Sequence, residues 1–487
     1  MMSQHVMSVR NLAPSVGNAL DQIAWWNFLL IFATCSFIGD IYPSKLWLYV
    51  TAGLSVTLAL HCLGAALGAR FNSEGLSAGL PVIGLFSASL LWLFLQISVP
   101  VTHYGHELLF SMDLVSRSEP AWFKPTLSWS VTPDATRMLL LSELVCLLAL
   151  ILMLSMLCTR QRLKQVLLMI AIVGGIHAIS AITAKYANAS LVDTSQLDGH
   201  FSVARGWFIN RNHLASFLVL TSVCWMSLML HRLLRQERSE RMIARVLSMR
   251  LLAALPSVVV LILTVVAVTL TSSRAGIVSL GGVFFVLVLT ILKRKSEGQW
   301  RHPLLVAMTL LVVILVGYFG DMVWQRFSEQ ETLLGERGEQ WHATWLLIKQ
   351  NMLLGYGGNS YATLFQMVRE EDGLRQLVYN QAHNDYLHIW FEQGLIGLGL
   401  WLAIASVTFY KGITHLRRAQ STLVAATLIA SLAVLAAALL QSLVDFNLQI
   451  LSIRIYFFVI IAIIVSVPSI RHVRSNHRHV DAQSLKQ

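Results

Sequence analysis

The stretch Gln381-Ala382-His383-Asn384-Asp385-Tyr386-Leu387-His388-Ile389-Trp390-Phe391-Glu392-Gln393-Gly394-Leu395 decides how this chain reads. Up to Tyr386 it closes a polar excursion that begins near Asp321. From Leu387 it becomes an apolar run reaching Tyr410, with Glu392 inside it. Most of the remaining chain is apolar run or short connector. Hydrophobic residues make up 56% of the chain and charged residues 13%, against roughly 25% charged in an ordinary soluble protein. Runs of about 20 apolar residues suit a bilayer, not a soluble core.

Working outward from that junction, the apolar runs predict about twelve spans, each near the length a bilayer needs. They cover 24–41, 46–69, 80–99, 138–158, 166–184, 214–231, 251–271, 277–292, 304–320, 387–410, 423–443 and 450–467. Backbone in lipid must satisfy its own hydrogen bonds, so the spans are helices. The expected fold is an all-α integral membrane protein with one large loop between the ninth and tenth spans. Its parts are an N-terminal segment 1–23, membrane spans 24–320, the loop 321–386, spans 387–467 and a tail 468–487. The terminal segments are expected to be mobile, and no cleaved signal peptide is read in 1–23.

Lys and Arg set the orientation. Arg160-Gln161-Arg162-Leu163-Lys164, the arginine-rich 232–250 stretch, Lys293-Arg294-Lys295 and Arg417-Arg418 fall on the side that holds both termini. That side is expected to be cytoplasmic, which turns the large loop outward, toward the periplasm. The net charge of +11 then reflects topology and attraction to anionic lipid, not nucleic-acid binding. Cys35, Cys62, Cys146, Cys158 and Cys224 lie in or at the ends of spans, so no disulfide scaffold is expected.

Chemistry-bearing residues cluster at the predicted outer edge. Arg211 stands where the chain enters a span, and Arg274 occupies a tight turn with small neighbours. Arg337, Trp341 and His383 belong to the large loop, and Asp445 caps a hairpin. Arginine grips phosphate through paired hydrogen bonds, and histidine can take a proton from a hydroxyl near neutral pH. Together they suit transfer of a sugar from a lipid-linked diphosphate to a hydroxyl. The outer loops have no Asp-x-Asp pair, and Glu370-Glu371-Asp372 reads as a solvated stretch. His103 and His106 lack completing ligands, so no metal site and no cofactor are expected. Inside the membrane, Glu143 is expected to pair with His177, and His61 to serve helix packing. A flippase or transporter is the competing class. It would need broken helices and charges along a midplane path, of which Glu143 and Glu392 are the candidates.

The motifs, taken in order, resemble a known family. They are Asn210-Arg211-Asn212-His213-Leu214-Ala215, Ser273-Arg274-Ala275-Gly276, and Trp341 with Leu353-Leu354-Gly355-Tyr356-Gly357-Gly358-Asn359. Then follow His383-Asn384-Asp385-Tyr386-Leu387, Glu392-Gln393-Gly394 and Asp445-Phe446-Asn447. From about 206 to 449 the chain resembles the bacterial O-antigen ligase and O-antigen polymerase superfamily. The resemblance implies a metal-independent glycosyltransferase of the C-superfamily (GT-C-like) type in the bacterial inner membrane. Its donor would be an undecaprenyl-diphosphate glycan, and its acceptor a lipid-linked repeat, lipid A core or a protein side chain. It implies diphosphate binding by Arg211 and Arg274, with Arg337 a looser match, and His383 as base, oriented by Asp385 or Glu392. Asp445 and Trp341 would support. Membrane lipids and a chain-length regulator are the implied partners, and the segments around Asn212 and Asp445 lean toward polymerisation of O-antigen or exopolysaccharide.

Overall fold

Polar residues at the ends of apolar runs let helices extend past the hydrophobic limit, because the backbone still satisfies itself there. The computed structural model describes residues 2–38, 43–99, 129–187, 189, 191, 203–234, 243–292, 330–371 and 380–469. Its helices are α1 (Met2–Ile38), α2 (Pro43–Ala66), α3 (Ser73–Ser98), α4 (Pro133–Met156), α5 (Arg160–Tyr186), α6 (Arg211–Leu234) and α7 (Ile243–Leu270). They continue as α8 (Arg274–Leu292), α9 (Gln330–Gln350), α10 (Tyr361–Glu371), α11 (Asp385–Arg418), α12 (Thr422–Gln441) and α13 (Leu451–Ser466). Among the described residues, eight helices are long and apolar enough to cross a bilayer, and stretches of α7, α8 and α13 are shorter apolar helices. The expected span 304–320 lies outside the described residues, as do 100–128, His103, His106 and Asp372.

Two helices form the centre. α6 is buried from His213 through Ser227, and α13 from Ser452 through Ser466. A helix apolar all round belongs inside a bundle. α6 packs on α12, α5, α7 and α8, while α13 packs on α4, α12 and α3. α2, α3 and α11 turn large apolar side chains outward, among them Leu48, Leu63, Leu91, Phe94, Leu402 and Ile413. That surface fits lipid.

The two ends of the bundle differ. At one end, Asn72 ties the α2–α3 turn to the end of α4. Its N–H donates to Ser155 O at 2.9 Å and its Nδ2 to Leu157 O at 2.8 Å. Beside it, Asp21 on α1 meets His61 Nδ1 at 3.0 Å and the Arg162 guanidinium, all three buried. At the opposite end, here the loop end, α9 and α10 stand over the bundle with a second core of Leu347, Ile348, Tyr356, Tyr361, Leu364, Phe365, Ala382 and Phe391. Burial pushes the Tyr356 phenol up, and its hydroxyl donates to Leu347 O at 2.8 Å.

The break between loop and span sits at Gly394. This residue has φ 67° and ψ −172° inside α11, a combination essentially reserved for glycine. The break leaves carbonyls of Phe391, Glu392 and Gln393 without helical partners. Tyr356 N donates to Phe391 O at 3.0 Å and Gly357 N to Glu392 O at 2.8 Å. From α3, Trp92 Nε1 donates to Gln393 O at 2.7 Å and Gln96 Nε2 to Glu392 O at 3.0 Å. The Leu353–Asn359 motif and the Glu392-Gln393-Gly394 motif are thus two halves of one joint, and the first three turns of α11 pack with the loop helices.

Residues 2–23 and the first span form one helix, α1, in which Asp21 is locked in the bundle. The span expected at 387–410 lies within α11. One expectation needs correction. Glu143 does not meet His177. It pairs with Arg454, while His177 Nε2 lies 3.0 Å from Ser36 Oγ and its ring stacks on Phe37. Sequence reveals a buried polar group but not which helix is its neighbour. His61, expected to serve packing, does so through Asp21.

Candidate functional site

Two helices begin side by side at the loop end, each with an arginine in its first position. Asn210 Oδ1 accepts from Asn212 N at 2.9 Å at the start of α6, and Ser273 Oγ accepts from Gly276 N at 3.3 Å at the start of α8. Ser and Asn are favoured there because they satisfy first-turn N–H groups. The preceding Ser272 has φ 52°, which folds α7 back into α8 within a few residues. A Cβ added to Gly276 would come within 2.5 Å of the Ala215 Cβ. The small residues after Arg274 therefore exist so that the first turns of α6 and α8 can touch. Arg211 and Arg274, both half-buried, are each joined to a helix N-terminus, where the dipole already favours anions.

His383 reaches the same end of the bundle from the loop. Its φ is 49°, an unusual conformation for a residue with a side chain. The backbone on either side is clamped. Gln340 Nε2 and Trp341 Nε1 from α9 donate to Gln381 O at 2.7 Å and Ala382 O at 2.9 Å. Asn384 caps α11, its Oδ1 accepting from Tyr386 N and Leu387 N at 3.0 and 3.1 Å. Asp385 N donates to Ser442 O and to Asp445 O. Strain held in place by its surroundings is a feature of functional sites.

The hairpin after α12 joins the pieces. The Phe446 ring lies edge-on to His213, in the first turn of α6, and to His383, with centroid separations of 4.9 Å in both cases. Asp445 Oδ1 is 3.9 Å from His383 Nδ1, and Asp445 is buried. That separation exceeds a hydrogen bond, and an imidazolium formed there would be attracted to the carboxylate. Arg337 Nη1 donates to Val444 O at 2.9 Å in the same hairpin. Ser279 Oγ lies 3.3 Å from Ala437 O between antiparallel α8 and α12, so Gln441, one turn onward, stands level with the first turn of α8.

Several buried polar atoms at this junction have no hydrogen-bond partner among the described residues: His383 Nδ1, Asn447 Nδ2 and Oδ1, and Gln441 Nε2 and Oε1. Native interiors leave few such atoms, and an unpartnered group calls for a ligand, water or catalytic role. The His383 side chain itself is 27% exposed.

The predicted site residues thus divide. The helix starts that carry Arg211 and Arg274 lie at the same end of the bundle as His383 and Asp445, Arg337 braces the hairpin, and Trp341 holds the His383 backbone. Asp385 and Glu392, expected to orient His383, are engaged elsewhere. The Asp385 carboxylate accepts from Leu448 N and Gln449 Nε2 at 3.3 Å. Glu392 Oε1 accepts from Tyr361 N at 3.2 Å and lies 3.1 Å from His388 Nε2, out of line for a hydrogen bond. The carboxylate that lies near His383 is that of Asp445, at 3.9 Å. Gln441, as an individual residue, escaped the sequence reading because nothing but the antiparallel packing of α8 and α12 brings it near Arg274.

The fold defines a multi-pass helical membrane protein, and this cationic, histidine-bearing junction at one end of its bundle is its candidate site. Residues 259–402 match a family described as O-antigen ligase, in agreement with the resemblance carried by the motifs. The matched family points to ligase- or polymerase-type activity. It includes Arg274, Arg337, Trp341 and His383 but neither Arg211 nor Asp445, which the fold brings to the same junction. No curated protein matches the chain.

Proposed function

We propose that this protein is an inner-membrane glycosyltransferase that moves a glycan from undecaprenyl diphosphate to an acceptor hydroxyl at the periplasmic end of its bundle. The observation that carries this reading is the junction of His383, Asp445 and the two arginine-bearing helix starts around Phe446. The lipid tail lies along the apolar flank. Arg211 and Arg274, with the N-termini behind them, hold the diphosphate and stabilise the charge that grows on it as the glycosidic bond breaks. His383 Nδ1 faces Asp445, which leaves Nε2 on the accessible side to take the acceptor proton. The acceptor oxygen then bonds to the anomeric carbon, and undecaprenyl diphosphate leaves with the bonding electron pair. Asp445 stabilises the imidazolium as it forms. Direct displacement inverts the anomeric centre.

We favour a lipid-linked repeat as acceptor, which makes the protein a polymerase of O-antigen or exopolysaccharide. The ligase reading, with lipid A core as acceptor, uses the same groups and is favoured by the matched family's description. Comparing glycan chain length with core attachment in a deletion strain separates the two. His383→Ala is expected to abolish transfer while donor binding survives. Turnover retained by His383→Ala removes the histidine from the chemistry and this mechanism with it.

A further inference from the structure

Beneath the hairpin that carries Asp445 lies a buried ion pair that the proposed mechanism does not use. Arg454 is in the first turn of α13, and Glu143 is on α4; they are 4% and 2% exposed. Charges inside a membrane bundle are rare and costly, and packing two helices together does not need them. What distinguishes this pair is where the rest of the guanidinium goes. Arg454 Nε donates to Leu448 O at 2.6 Å, Nη2 donates to Gln449 O at 3.0 Å, and Nη1 holds Glu143. The opposite side of the same two residues is held from α11: Leu448 N and Gln449 Nε2 donate to the Asp385 carboxylate. The short helix Asn447–Gln449 is therefore gripped from below by Arg454 and from the flank by Asp385. Asp445 and Phe446 directly precede it and face His383.

We infer that Glu143 and Arg454 are positioning residues. Glu143 aims a guanidinium whose remaining donors fix the height and register of the 445–449 turn, and so the distance from Asp445 to His383. The inference rests on the glycosyltransferase reading for its catalytic consequence but not for the clamp itself. Lysine cannot replace the arginine, because one ammonium on a flexible stem cannot hold two adjacent carbonyls and a carboxylate in fixed directions. Loss of even about 1 Å of positional accuracy can cost about a hundredfold in rate.

The test uses the purified full-length protein and its Arg454→Lys and Glu143→Gln variants, with two readouts. Amide hydrogen exchange reports the clamp, and steady-state transfer from a lipid-linked glycan reports its consequence. Exchange is expected to accelerate in the 442–450 segment of both variants while α6 stays protected. The kcat of Arg454→Lys is expected to fall about a hundredfold, with donor KM changed less than about threefold. Unchanged exchange at 442–450 overturns the inference. So does acceleration spread evenly through α6, α12 and α13, which is the signature of an ion pair that merely stabilises the bundle. A rise in donor KM at constant kcat overturns the positioning role. If the unmodified protein transfers no glycan, the functional reading fails alone, and exchange still decides the clamp.

Discussion

His383 combines a left-handed backbone, a buried Nδ1 without a hydrogen bond and a carboxylate 3.9 Å away. Those features suit a base whose protonated form is stabilised only as it appears. Asp445→Asn keeps the shape and removes the charge; kcat is expected to drop about 10²-fold, on the scale of lost electrostatic stabilisation in other sites. Donor KM should hold, and a kinetic comparison in which kcat stays put would detach Asp445 from the histidine. Arg274→Lys tests the diphosphate. It keeps the charge but loses the paired donors, and charged hydrogen bonds are worth about 1.5–3 kcal/mol. Donor affinity measured by titration should weaken about tenfold, whereas unaltered binding would place the diphosphate elsewhere. Arg211, Arg274 and His383 stand out in the sequence as candidates because unusual polar residues at span ends contrast with apolar runs. Which carboxylate lies near His383 is not legible there. Asp385 and Glu392 are its neighbours along the chain, but helix geometry turns Asp385 to Leu448 and Glu392 to Tyr361, and the hairpin supplies Asp445.

Among elements, α11 and the loop before α10 are the pair whose joint sets the site. Gly394 is needed twice, once for its φ of 67° and once because a Cβ would strike the Leu353 carbonyl. Gly394→Ala should destabilise the protein by at least the roughly 1–3 kcal/mol of backbone strain, seen as a lower thermal midpoint. A midpoint unchanged from the parent protein would mean the kink relaxes without cost. Trp341, named in the sequence as a supporting residue, donates to Ala382 O. Hydropathy located the apolar part of α11 but not the kink. Gly394 reads in sequence like the nearby Gly397 and Gly399, and its φ is set by the Leu353–Asn359 loop that docks on it.

Across the whole molecule, the two ends are built for different tasks. At the loop end, His383, Gln441 and Asn447 carry buried polar atoms without partners among the described residues. The opposite end joins Asp21, His61 and Arg162 in a buried network. Breaking a buried pair costs about 3–5 kcal/mol, so Asp21→Asn should lower the thermal midpoint in detergent while turnover per folded molecule stays near the parent's. Turnover lost in parallel with His383→Ala would join the two ends functionally. The span pattern was legible because lipid demands long apolar helices, whereas the continuity of α1 was not, since its first half carries no apolar run of its own.

The central claim is that chain stretches around 211, 274, 383 and 445 form one diphosphate-binding, proton-accepting site. It is tested most directly by a cryo-EM structure of the full-length protein with an undecaprenyl-diphosphate glycan bound. The account predicts diphosphate oxygens within about 3 Å of the guanidinium groups of Arg211 and Arg274, with the anomeric carbon on the His383 side. A donor whose diphosphate touches neither arginine, or whose sugar lies away from His383, would contradict it.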